Sequence, residues 1–471
     1  MTSTYAPLRQ IVLEEGTDSM NYVPHSIRSE HISRAISANR KVTTIRPLGG
    51  SSIQAGGQLI FQFPYGLSAG YIKPSSCYLR FDLSVAGMTS TGTWGFAGAL
   101  GDSTSLINQF NASMGGVTVE NILYVNKLVS NIINPYMTSA SYGNGLSLLS
   151  GLAGGGEANI KPVSWTGSQA LTANYNVLPY QQFTAGANPK LLLPFHFSGL
   201  LQGGDSCNAI PLFALNSPLT LQLLMSSVND AFWASEPTIT NYTMNNIELV
   251  FEQIIPPMDF IESMKSQMAS HIYSIPITTV MSAVTQGGST VSYNQSLNTS
   301  CLKGYCAGYL PSHNQNTSVT NSKQFSAPTG AMSNQDVSNP FFNRILLLDS
   351  EQTDFFPDRC QDSVTKVAEN MRMVAGSVLG DADYTLPFQT IGQWNAYNTY
   401  LGSYFSTFFN IQPFSPESSI CFNGKPVNIA NFIANIGSSQ TSTSNSDSVY
   451  LYAWVQQLIA IAGDGSVTIV K

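Results

Sequence analysis

Two consecutive prolines inside a strand-like stretch constrain this chain more than any other feature. In the segment 246–279, NIELVFEQIIPPMDFIESMKSQMASHIYSIPITT, Ile247, Leu249 and Phe251 alternate with Asn246, Glu248 and Glu252. That is the period of two of a strand with one buried face. Pro256 and Pro257 stop it, because neither has an N–H to give to a sheet ladder. Asp259 reads as the N-cap of a helix over 260–269, with Phe260, Met264 and Met268 on one face. Strand periodicity resumes at His271. The segment reads as a hinge between two β-rich halves of roughly two hundred residues each. A crossover helix inside one large β domain is the other reading of the same pattern.

Composition agrees with many strands. Charged residues are 10% of the 471-residue chain, against about 25% in an ordinary soluble protein, while apolar residues stand at 43%. There is enough apolar surface for two or three cores, and Ser, Thr, Asn, Gln and Gly replace the missing charge. Such a mixture suits short strands joined by polar turns rather than long surface helices. A neutral exterior also suits a protein covered by copies of itself, because interface cores are depleted in charge. No apolar run approaches the ~18 residues of a membrane span, and no signal-peptide core follows Met1. The six scattered cysteines, Cys77, Cys207, Cys301, Cys306, Cys360 and Cys421, read as free thiols of a chain made in a reducing cytosol.

Charge is unevenly placed. Residues 1–46 carry Arg9, Arg28, Arg34, Arg40, Lys41 and Arg46 against Glu14, Glu15, Asp18 and Glu30, a balance of +2 within a total of −7. They lack strand periodicity, although 26–39 could coil into a short amphipathic helix. A mildly basic arm ahead of an acidic body is a charge pattern that can touch nucleic acid or anionic lipid, but six bases diluted by four acids are more often a solvated arm.

Strands are expected from Gln58 onward. The clearest is Tyr78 to Val85, with Leu79, Phe81, Leu83 and Val85 on one face. Thr89–Thr104 reads as a polar loop, Val117 and Val119 as a strand, and Ile122, Val125, Val129 and Ile133 as a helix ended by Pro135. The run 142–156 is Gly-rich and loop-like. Lys190–Phe197 and the alternation Leu219, Leu221, Leu223, Met225 are further strands. In the second half, strands are expected over 272–284 and 343–348, in the alternation Val449, Leu451, Ala453, Val455, and in a hairpin around Gly463-Asp464-Gly465. A polar loop spans 312–339, and a helix is expected over 358–374.

No motif for chemistry survives its context. Gly66-Leu67-Ser68-Ala69-Gly70 matches G-x-S-x-G, but a nucleophile elbow needs a strand before its serine and a helix after it. Here Pro64 precedes, and Tyr71-Ile72-Lys73-Pro74 follows as extended chain, so Ser68 reads as a loop tip. Cys301 and Cys306 near His313 lack the second ligand pair of a zinc site. His25, His31, His196, His271 and His313 form no metal-binding pair, and His196, between Phe195 and Phe197, reads as packed at a strand. The cluster Asp349, Glu351, Asp354, Asp358 reads as carboxylates at a helix N-terminus. The aromatic run 394–414 reads as packing, with stacking of sugars or bases as the other reading. Phosphate-loop and dinucleotide fingerprints are missing. No catalytic, cofactor-binding or metal-binding residue is assigned, and the expectation is a non-enzymatic protein.

Four stretches in order carry a resemblance: 71–85 (YIKPSSCYLRFDLSV), 107–111 (INQFN), 116–128 (GVTVENILYVNKL) and 343–357 (NRILLLDSEQTDFFP). Together with the hinge, they resemble the double jelly-roll major capsid proteins of the tectivirus–adenovirus lineage, in the flavour of polinton-like viruses, adintoviruses and virophages. Many of those carry an Asn-Gly-Gln turn where this chain has Asp349-Ser350-Glu351-Gln352. The resemblance covers about 47–471 and implies an all-β chain of two tandem eight-stranded antiparallel jelly rolls, with short helices in the linker and loops. The implied divisions are an arm (1–46), a first roll (47–256), a linker helix (257–270) and a second roll (271–471). It further implies pseudo-hexagonal homotrimers that tile an icosahedral shell around DNA, with penton and minor or cement proteins as partners. The loops 89–104 and 312–339 would be outer towers and trimer contacts. The arm would lie inside, clamping neighbours or touching an internal membrane or the genome. The implied location is the virion, after synthesis in the host cytoplasm without a cofactor. A glycan- or receptor-binding spike or fibre built of two β-sandwiches is the alternative. A glycan-active enzyme on the same sandwiches would need paired carboxylates across a cleft.

Overall fold

The computed structural model describes residues 38–98, 101–134, 149–151, 183–202, 209–235, 239–269, 272–287, 290–310, 323, 325, 342–348, 375–377, 380–381, 406–411, 424–436 and 447–470. Every strand pair among them is antiparallel. The first half stacks two sheets. One has the order Asn39–Ile45, Asn241–Ile255, Tyr71–Ala86, Ile210–Pro211, with Ile53–Gln54 and Lys190–Pro194 attached at its sides; the other runs Gln58–Gln62, Thr220–Met225, Ile107–Met114, Val117–Leu123. Inner faces follow the alternation legible in the sequence: Leu79, Leu83, Leu249 and Phe251 of one sheet and Phe61, Phe110, Leu221 and Leu223 of the other are buried. Phe63 and Phe251 meet across the core at a ring separation of 4.8 Å.

In the second half the large sheet has the order Tyr273–Gln286, Ser448–Ile461, Thr290–Leu310, Lys425–Ile436, Phe342–Leu348, with Ser406–Asn410 and Val467–Val470 paired alongside, and Ala375–Ser377 pairs with Gly380–Asp381 apart from it. The expected C-terminal hairpin is present, with Ile461 opposite Val467. Its turn is closed by Ser466 N–H donating to Asp464 Oδ1 at 2.9 Å.

The hinge forms as its prolines dictate. The strand ends at Ile255, and a helix spans Met258–Met268. Its N-cap is Pro257 with no side-chain cap, so Asp259 sits inside the first turn, where its charge favours the helix dipole, and not at the cap. Proline presets φ for this position, and its carbonyl accepts from Phe260 N and Ile261 N at 3.1 and 3.2 Å. The buried side chains are Ile261 and Met268, each worth about 1.5–3 kcal/mol of burial; Phe260 is only partly covered.

Three expectations change. First, Asn39–Ile45, placed in the arm by its lack of alternation, is a strand in register with Leu249–Ile255. Its β-branched run Val42-Thr43-Thr44-Ile45 fits a pleated edge even with one face in water. Second, strands therefore begin well before Gln58. Third, Thr89–Thr104 is no protruding tower. It contains the strand Thr93–Phe96, and Trp94, Phe96, Asp102, Ser103 and Thr104 are buried. Polar residues fold inward there because each finds a partner. Asp102 accepts from Thr104 N at 2.9 Å, and Ser105 donates to Ala97 O at 2.9 Å. The helix expected from Ile122 starts at Val125 and continues as a wider π turn to Ile133.

The short helix over 26–39 (but for 38–39), most of the loops 142–156 and 312–339, His313, the acidic cluster and the helix over 358–374 lie outside the described residues. Of the aromatic run, Ser406–Asn410 forms a strand paired with Thr290–Leu310.

Candidate assembly surface

Two surfaces stand out: the seam where the halves meet and the outer edge made by Asn39–Ile45. At the seam, Val117–Leu123 is the last strand of its sheet and Tyr273–Gln286 the last of the other. An open strand edge invites unwanted pairing. Here the two edges face each other and are capped by side chains instead of a ladder. Gln457 Nε2 donates to Val119 O at 2.5 Å, Leu123 N donates to Ser282 Oγ at 3.1 Å, and Gln295 Nε2 donates to Met281 O at 3.3 Å.

Glu120 pins the same place. It is 2% exposed, and its carboxylate accepts from Ser198 Oγ at 2.5 Å, Gly199 N at 2.8 Å and Leu200 N at 3.2 Å. Burial pushes its pKa up, and the bonds from Ser198, Leu200 and Gly199 pull the other way. Those bonds hold Gly199 against the second half so closely that a Cβ there would collide with the Thr278 carbonyl oxygen. Further along, Tyr452 donates to Tyr124 O at 3.2 Å and Tyr273 donates to Ala209 O at 2.8 Å. Phe325 stacks on Tyr450 at 5.7 Å, and its N–H donates to Asn131 Oδ1 at 3.1 Å. The seam is thus wide and specifically bonded, which holds the halves as one block.

The outer edge is a charge ladder. Arg40 is paired with Glu252, Lys73 Nζ lies 3.9 Å from the same carboxylate, Arg46 lies 3.6 Å from Glu248, and Arg80 Nε donates to Glu248 at 2.7 Å. The Arg40 hydrogen bond, together with the charges of Arg40 and Lys73, holds the Glu252 carboxyl below its ordinary range. Pairs this exposed add little stability in salt but fix strand register. Two of the six arm bases are therefore neutralised within the fold. Residues 1–38 keep three bases against four acids, which removes the electrostatic argument for contact with nucleic acid.

The sequence candidates scatter. Ser68 is exposed on a three-residue turn, followed by the strand Tyr71–Ala86 and not by a helix. Cys301 and Cys306 lie five residues apart on one strand, a separation of ~16 Å that no single ion spans. His196 is half-buried, bonds Asn134 Oδ1 through Nε2 at 3.1 Å, and has its pKa lowered by burial. No group of three metal-ligating side chains occurs among the described residues, nor any helix long and apolar enough to cross a membrane. Sequence reasoning missed Glu120 because Val119 and Glu120 are both buried, which breaks the alternation; its neighbours in the sequence carry no signal of it. The edge strand did carry one, in its β-branched run.

The chain has the double jelly-roll fold, two antiparallel β halves joined by the helix that follows Pro256-Pro257. It is similar to the PBCV-1 VP54 structure fitted into a reconstruction of the virophage Sputnik, with a TM-score of 0.54 at 12% identity over 93% of this chain and 98% of the other. It is similar to the Sputnik virophage structure itself, with a TM-score of 0.56 at 12% identity over 93% and 89%, and to the Faustovirus major capsid protein, with 0.53 at 9% identity over 91% of each. No family model and no curated protein matches the sequence.

Proposed function

We propose that this chain is a major capsid protein: a homotrimeric block of an icosahedral viral shell that encloses DNA. The observation that carries the proposal is the end-to-end match with viral capsid structures, two rolls in one chain and little else. Two fused rolls repeated three times present six similar edges, which lets a threefold block fill a six-coordinated lattice position. The seam supports this reading, because a block that tiles must not flex between its halves. The low surface charge suits burial against neighbouring capsomers, and penton and minor proteins would complete the shell. Residues 1–38 act as a clamp between neighbours on the inner face rather than as a genome contact, in keeping with their charge.

Light scattering after size exclusion tests the assembly. The expected mass is three times that of the 50.8-kDa chain, stable in moderate salt, and particles or pseudo-hexagonal arrays should appear by electron microscopy. A monodisperse monomer would turn the reading toward a receptor-binding spike. Two truncations separate arm from roll. Removing 1–37 should leave trimers that assemble poorly. Removing 1–46 also strips the Asn39–Ile45 strand and should lower the melting temperature. Normal particles from the shorter truncation would discard the clamp.

A further inference from the structure

The seam is not closed throughout. Between the facing strand edges lies a cleft of about 430 Å³, within the size range of small-molecule sites. Its walls come from both rolls: Thr118–Asn121 and Leu123 on one side, and Thr279–Ala283 with parts of Thr290–Leu310 and Ser448–Ile461 on the other. Three properties of these walls decide what fits.

The first is charge. Glu120 is the only carboxylate in the lining, which contains no lysine, arginine or histidine. Its oxygens are taken by Ser198, Gly199 and Leu200. An ionic ligand would therefore find no counter-charge and would lose its hydration.

The second is the state of the strand edges. Val119 O, Leu123 N and Met281 O already accept or donate bonds with side chains. An extended peptide adding itself as a strand needs those groups, so the cleft is not a strand-insertion groove.

The third is the surplus of neutral polar groups. Amides and hydroxyls dominate the polar lining, and the side chains of Thr118, Tyr293, Ser296 and Asn298 have no hydrogen-bond partner within the described protein. An amide both donates and accepts, and hydroxyls do the same, which matches a ligand with many hydroxyls. Tyr293 is half-buried and supplies an aromatic wall for the C–H face of a sugar ring.

We propose that this inter-roll cleft is a binding site for a short neutral oligosaccharide. Thr118, Ser296 and Asn298 bond its hydroxyls, and Tyr293 packs against a ring. Recognition needs both rolls, so the site exists only in the docked molecule. The proposal is independent of the assembly state and holds for a trimer or a monomer.

The test uses the full-length protein on an array of neutral and anionic glycans, followed by saturation-transfer NMR with the best neutral one. Saturable binding of an uncharged glycan that is insensitive to salt is expected. Asn298→Ala and Ser296→Ala should each weaken it roughly two- to tenfold, the size of one neutral hydrogen bond. Both residues are exposed and their side chains have no protein partner among the described residues, so the melting temperature should not move. The matched control is Ser292→Ala, on the same strand but outside the cleft lining, which should bind as the parent does. Absence of neutral-glycan binding, a preference for sialylated or sulfated glycans, or equal affinity of all three variants would each overturn the assignment.

Discussion

The two rolls fill their cores differently. Among the described residues, the buried aromatic rings of the first roll include Trp94, Phe61, Phe63, Phe96, Phe110, Phe213, Phe232 and Phe251, with Tyr242 as the one tyrosine; in the second, three tyrosines, Tyr305, Tyr309 and Tyr452, stand beside Phe325, Phe432 and Trp454. The first core is held by hydrocarbon. Trp94 stacks on Phe183 at 4.5 Å and meets Phe232 edge-on at 5.4 Å. In the second, the tyrosines bring polar tips, and those of Tyr305 and Tyr452 do directional work. Tyr305 donates to Gln295 Oε1 at 3.1 Å, and Gln295 in turn caps Met281 O at the seam. Tyr452 crosses the seam to Tyr124 O. The first roll is thus stabilised by bulk, and the second is oriented by bonds that reach toward its partner.

Truncating the hydrocarbon side should cost most. Trp94→Ala removes an indole from a filled site and is expected to cost about 3–5 kcal/mol in denaturant unfolding. A loss under about 1 kcal/mol would mean the cluster is less tightly packed than its ring geometry indicates.

Removing only a hydroxyl on the other side should cost less but change more of the behaviour. Tyr452→Phe keeps the packing and leaves the Tyr124 carbonyl without that donor, a loss of about 0.5–1.5 kcal/mol. The sharper readout is hydrogen exchange at Val117–Leu123, which should quicken if the bond helps to dock the rolls. Unchanged exchange there would confine Tyr452 to its own core.

The smallest effect is electrostatic and again belongs to the seam. Lys323 is buried beside Lys127 and Asp230, and Tyr450 lies close to the same carboxylate and to Tyr124; burial, then Lys127, lower the Lys323 pKa from 10.5 to about 7. Lys127 itself lies 3.2 Å from Asp230. A lysine depressed in the fold contributes stability above its unfolded value that is lost as pH falls toward 7. Melting temperature should therefore drift upward from pH 7 to about pH 9.5, below the ordinary tyrosine range. Lys323→Met should flatten that drift, whereas a parallel drift in the variant would assign it elsewhere.

Much of this was legible in the sequence, and the reasons for the rest are physical. The hinge could be read because proline's missing N–H is a local fact that no tertiary context reverses. Alternation exposed Leu79, Phe81, Leu83, Leu221 and Leu223 because each strand there has one wet face. It failed at Asn39–Ile45, an edge strand with both faces largely in solvent, and at 89–104, where a polar sequence is buried by satisfying itself. The strand 71–86 shows how context rescues an awkward residue. Pro74 sits inside it because the register slips between Val250 and Glu252, and Ser76 Oγ accepts the freed Glu252 N–H at 2.8 Å. Of the candidate surface, the charge excess near the N-terminus was visible. Its neutralisation by Glu248 and Glu252 was not, because those partners lie about two hundred positions away.

The facing edges at the seam also set a clock. Val117–Leu123 leaves the ribosome long before Tyr273–Gln286 does, and at about 5–20 residues per second the interval is on the order of ten to thirty seconds. Throughout it the first roll carries a strand edge that its later partner has yet to cover, open to pairing with another nascent chain. A protein made in large amounts under that condition has a standing requirement for something to occupy the edge, and its yield when expressed alone should follow the supply of chaperone more closely than the stability of the finished fold.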